Sequence, residues 1–139
     1  MANRSVGIRR SVGGTELSQR PVQFSAIAAG VLVAFIASLV LSALLGTVML
    51  KTTIAQGTIP ALISWVGTLS VAIGGAYAGR KAGVGGLFNG GLTGIGYVLI
   101  SALFGYFLFP GALVLGILAK KLGVGFIVGA IGGTLGVNL

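Results

Sequence analysis

The sequence predicts an all-α membrane protein of four transmembrane helices, arranged as two tandem helical hairpins and packed closely through glycine. Two compositional features and one pattern lead there. Charged residues make up 7% of the chain, against about a quarter in soluble proteins, and the mean hydropathy is +1.09. With one acid, Glu16, and nine bases, a water-facing surface around a folded core cannot be built. The pattern is a series of uncharged apolar runs near the roughly 20 residues that a membrane crossing needs.

Residues 1–23 form a basic segment expected on the cytosolic side and drawn to anionic headgroups. Residues 24–139 form the transmembrane domain. The first span, about 24–50, follows Pro21, a residue suited to an early helical position. It exceeds the ~7–15 residues of a signal-peptide core and further spans follow it, so it is expected to be retained. The second, about 58–79, has Pro60 in its first turn and Trp65 near its start, where an indole anchors well at an interface. The third, about 84–109, ends in Tyr106, Phe107 and Phe109 before the helix-breaking Pro110. The fourth is expected over about 122–138, after the Lys120-Lys121 interruption. Residues 111–119 are apolar but too short to cross, and are expected to be interfacial, re-entrant or part of that span.

Orientation follows from the bases. An inside N-terminus puts Arg4, Arg9, Arg10, Arg20, Arg80 and Lys81 in the cytosol and leaves Lys51, Lys120 and Lys121 outside. Six against three satisfies the positive-inside rule. Arg9, Arg10, Arg20, Arg80 and Lys81 are therefore the topology and headgroup residues, and the expected location is the cell (plasma) membrane, multi-pass, N-terminus cytoplasmic. The bases do not form the aromatic-interleaved stripe of a nucleic-acid surface, so no nucleic-acid partner is expected.

Glycine numbers 26, well above the ~7% average, and it recurs at four-residue spacing. The rows are Gly30, Ala34, Ser38, Ser42 and Gly46 in the first span; Gly75 and Gly79 in the second; Gly86, Gly90 and Gly94 in the third; Gly125, Gly129 and Gly133 in the fourth. Gly132 and Gly136 add a neighbouring row. Residues four apart share one helix ridge. Helices in lipid associate through close backbone approach rather than a hydrophobic force, so these are the expected helix-packing residues, with a right-handed crossing near −40°. Asn89, the most polar residue within an apolar run, is expected to make an interhelical hydrogen bond. A short echo, Ala72-Ile73-Gly74-Gly75 and Ala130-Ile131-Gly132-Gly133, fits a parallel repeat of two hairpins.

The chemistry the chain lacks is equally informative. There is no cysteine or histidine, and no ionisable residue lies within the spans apart from the Lys120-Lys121 pair. Proton relays, ion-coupled transport and voltage sensing depend on intramembrane charge, and acid–base or nucleophilic catalysis on groups missing here. No enzyme activity, catalytic residue, cofactor or metal is expected.

The stretch Ala72-Ile73-Gly74-Gly75-Ala76-Tyr77-Ala78-Gly79-Arg80-Lys81-Ala82-Gly83 leads into Asn89-Gly90-Gly91-Leu92-Thr93-Gly94-Ile95-Gly96-Tyr97. Together with the C-terminal Gly132-Gly133-Thr134-Leu135-Gly136-Val137-Asn138-Leu139, it resembles the YrzE-like family of small four-span membrane proteins of Gram-positive bacteria. The resemblance covers about residues 23–139 and implies a cell-membrane location and four spans, with no catalytic residue. The expected function is a structural or accessory membrane subunit that packs by its glycine-rich faces with itself or within a larger membrane complex. Its partners are then the lipid bilayer and either further copies or other subunits. The alternative is a small oligomeric pore for uncharged solutes, and a third reading is a lipid-surface adaptor using the basic N-terminal segment.

Overall fold

The structure, a computed structural model, describes residues 22–53, 55–111 and 115–139. Arg9, Arg10, Arg20 and most of the N-terminal basic segment lie outside the described residues, as do residues 112–114. Among the described residues there are four α-helices: α1 (Phe24–Lys51), α2 (Ile59–Ala82), α3 (Gly86–Leu108) and α4 (Leu115–Asn138). A short 3-10 turn, Gln56–Thr58, precedes α2. Each α-helix is long and apolar enough to cross a membrane. At 1.5 Å per residue, 23 residues extend about 35 Å, enough for a ~30 Å hydrocarbon core.

The largest departure from the expected boundaries is in α4. The helix begins at Leu115 rather than near residue 122 and runs without a break through Lys120 and Lys121. Lysine is a good helix former, so a charged pair changes where a helix meets polar surroundings without ending it. Likewise α2 continues through Arg80 and Lys81 to Ala82, where two bases in the last turn complement the helix dipole. Gly83 stops it: φ is +69° and its N–H donates to the Gly79 carbonyl at 3.0 Å. Gly85, at φ +63°, completes the reversal into α3 in a conformation that a side chain would strain.

α1 packs antiparallel on α2, and α3 antiparallel on α4. Across these hairpins, α1 runs parallel to α3, and α2 parallel to α4, as their residue pairings show. α2 and α3 also touch, whereas α1 and α4 do not meet. Residue size is sorted in the reverse of a soluble bundle. The buried apolar residues among those described are all alanine or valine, while Leu39, Leu44, Phe104, Phe107 and many others point outward. Lipid solvates large apolar side chains as well as a protein core does, so the interior is left to residues that allow backbones to approach.

Candidate functional site

Burial divides the bundle into two halves. The buried residues in the described helices fall between Ala26 and Ala34, Ser70 and Ala82, Gly86 and Gly94, and Gly125 and Gly136. All lie toward the end that carries the α2–α3 turn, here termed the base. Toward the other end, the mouth, the helices separate.

The base is held by backbone-to-backbone contact at glycine. A methyl group built on Gly75 would lie 2.5 Å from the Gly129 carbonyl oxygen. One on Gly79, Gly90 or Gly94 would fall on a carbonyl oxygen of α4, and one on Gly133 on a carbonyl oxygen of α3. Gly86 is closed off by Gly133 and Val137, and Gly125 by Val98 and Gly94. On the α1 side, a methyl at Gly30 would come within 2.7 Å of the Ala78 Cβ and 2.8 Å of the Gly74 carbonyl oxygen. The Ala34 Cβ fills the space that a side chain at Gly74 would need.

Gly74 was not among the expected packing residues, yet it is the partner of both Gly30 and Ala34. The overlooked signal is the glycine doublet. Neighbouring helix residues point about 100° apart, so Gly74-Gly75 offers one glycine to α1 and the next to α4. Gly132-Gly133 does the same for α4: Gly132 lies on Ala72 of α2, and Gly133 faces Gly79 of α2 and Gly86 and Gly90 of α3. Each doublet belongs to one copy of the Ala-Ile-Gly-Gly echo, on the two parallel helices.

Asn89 closes the base. Its side chain is fully buried; Oδ1 accepts the Gln23 backbone N–H at 2.9 Å, and Nδ2 donates to the Val84 and Gly85 carbonyls, both at 3.1 Å. Gln23 Nε2 donates back to the Ala82 carbonyl at 3.3 Å. One amide thus ties the residue that caps α1 to the turn joining α2 and α3. The other buried polar side chains are satisfied within their own helices: Thr93 Oγ1 donates to the Asn89 carbonyl and Ser70 Oγ to that of Val66, each at 2.7 Å.

The row of α1 changes role halfway along. Gly30 and Ala34 are buried against α2, whereas Ser38, Ser42 and Gly46 face an open cavity of about 920 Å³ bordered by all four helices. At Gly46 an added methyl group would meet nothing within 4 Å. Tyr97 stands at the transition, its ring 4.9 Å from that of Phe35 and its hydroxyl donating to Ser38 Oγ at 3.1 Å. Val71, Val98 and Gly125 line the cavity at the same level. Higher up, Ser64, Thr68 and Ser101 add hydroxyls, and Lys120 and Lys121 lie on the wall formed by α4. These added hydroxyls were not anticipated, because lone serines and threonines carry no periodic signal, whereas the Lys120-Lys121 pair stood out as an interruption without revealing its place on a cavity wall. Arg80 and Lys81 sit exposed at the base, at the opposite end from Lys51 and the Lys120-Lys121 pair.

Four membrane-length helices with small residues inward and large ones outward define a multi-pass membrane protein. Residues 23–136 match the family described as protein of unknown function, DUF3792, and the chain belongs to that family. The match begins at the residue that caps α1 and ends within the last turn of α4, so it takes in both the base and the cavity. No curated protein and no solved structure matches the chain.

Proposed function

We propose that this protein is a structural or accessory subunit of the plasma membrane, not an enzyme, and that it acts by packing with further copies or within a larger membrane complex. The observation that carries the reading is the division of the glycines. Those of the base are spent on contacts inside the chain, whereas Gly116 and Gly123 are exposed on α4, with no atom within 4 Å of an added methyl. Seven residues apart, they share a helix face, and neither lines the cavity. They supply the kind of small-residue surface through which membrane helices associate. The count of bases favours an N-terminus and a base on the cytosolic side. The resemblance to YrzE-like proteins of Gram-positive bacteria fits a bacterial cell membrane.

Co-purification from a gentle detergent tests this reading. A second polypeptide or a second copy is expected with the tagged chain, and Gly123→Leu should remove it while leaving helix content intact. Recovery of single copies alone, both in detergent and after cross-linking in the membrane, refutes it.

The hydroxyl-bearing cavity favours a second reading, a pore for an uncharged solute. A single chain provides only the mouth of such a path, because the backbones meet at the base. Solute leakage from liposomes containing the purified protein would support it, and sealed liposomes would count against it.

A further inference from the structure

We propose that the cavity at the mouth is a binding site for one anionic phospholipid, with an acyl chain between the helices and the phosphate against Lys120 and Lys121. This goes beyond the subunit role, which uses Gly116 and Gly123, neither of which lines the cavity.

The size fits. A cavity of about 920 Å³ lies within the range of roughly 300–1,000 Å³ typical of sites that enclose a small molecule. The walls are suited to a hydrocarbon chain, since Leu45, Met49, Val66, Val98 and Val128 project between the helices. Several of the hydroxyls there are already engaged. Ser64 donates to the Pro60 carbonyl at 2.9 Å, Thr68 to that of Ser64 at 2.8 Å, and Tyr97 to Ser38. Hydroxyls bonded back to their own helix place few unmet donors beside an apolar occupant. Access from the bilayer is open, because no residue of α1 after Ala34, of α2 before Ser70, of α3 after Gly94 or of α4 before Gly125 is buried.

Charge selects the headgroup. Lys120 and Lys121 both line the cavity and are exposed, one to two turns into a membrane-length helix. Ammonium groups at a membrane surface need a counter-charge or water. No carboxylate side chain occurs among the described residues, and Glu16 is the single acid in the sequence. A phosphate diester at headgroup level provides that charge, while lysine stems reach toward it along apolar surface.

The test uses the full chain in mild detergent, mixed with phosphatidylglycerol, phosphatidylcholine or inorganic phosphate, with retained molecules counted by native mass spectrometry. One phosphatidylglycerol should be retained, about tenfold over phosphatidylcholine, in keeping with two lysines at the headgroup. K120Q/K121Q should bring the two lipids to the same level. Gly67→Phe, whose new side chain enters the cavity from an open position, should reduce both, with Ser42→Leu as a second cavity-filling variant. Gly123→Phe, outside the cavity lining, should change neither, even where it abolishes co-purification of a partner. Circular dichroism on each variant separates lost binding from lost folding. Equal retention of the two lipids, no effect of K120Q/K121Q, no effect of either cavity-filling variant, or displacement of phosphatidylglycerol by inorganic phosphate would each overturn the proposal.

Discussion

At Gly133 the backbone of α4 lies against Gly79 of α2 and Gly90 of α3, with no space for even a methyl group; at Gly46 of α1 the same group would meet nothing within 4 Å. Both glycines belong to four-residue rows in apolar helices of membrane-crossing length. The difference is what faces them. At the base, glycine meets glycine across the interface, and dispersion contacts plus the Asn89 clasp hold the helices. At the mouth, Ser38, Ser42, Ser64 and Thr68 share the lining of a space with Gly46, Gly67 and Gly105, and the helices diverge around it. A row of small residues is thus permission for close approach and does not enforce it.

Substitutions can break that contrast. Gly90→Leu or Gly129→Leu at the base should have the largest effect, because the clash is with backbone that cannot rotate away. We expect at least about 3 kcal/mol of destabilisation, the upper part of the overpacking range, read as loss of a monodisperse folded protein in detergent. Gly46→Leu and Gly67→Leu, placed in open space, should stay within about 1 kcal/mol of the parent, without destabilisation. Equal losses at the two ends would dissolve the distinction.

Asn89→Leu should come next. It strips the Gln23 N–H of its acceptor and removes the donors to Val84 and Gly85, at about 1–3 kcal/mol for buried groups left unsatisfied. Faster hydrogen exchange at the start of α1 is the specific signature, and unchanged exchange there would count against the clasp.

Gly46→Ala should act in the opposite direction. It adds no contact and restricts the unfolded chain, for a gain of up to about 1 kcal/mol, measurable as a raised Tm. The smallest effect is expected from Tyr97→Phe, which removes the bond to Ser38 at about 0.6 kcal/mol. Because that bond spans the transition between the halves, it should loosen α1 beyond Ala34 and leave the base untouched.

Much of the architecture was legible along the chain. Uncharged runs of membrane length announced four helices, Pro60 and Pro110 marked helix ends, and Asn89 stood out as an amide in apolar surroundings. In the sequence the start of α4 stays open over residues 111–119 because the lysine pair reads as an interruption, although helical backbone continues through lysine and only its solvation changes. The cavity left little trace, since Ser101 on α3 and Thr68 on α2 become neighbours only when their helices assemble.

By itself, the sequence determined the solvent and the elements: a chain with so few charges and such long apolar runs must satisfy its backbone within helices in lipid. It also determined where backbones are able to come close, because that depends on each residue's own size. Only the tertiary structure decided which rows meet. It set Gly75 against Gly129 and Gly30 against Gly74, and left Ser42 and Gly46 facing open space. The reason is that contact belongs to a pair of surfaces, and helix separation at one level follows from the packing at every level below it.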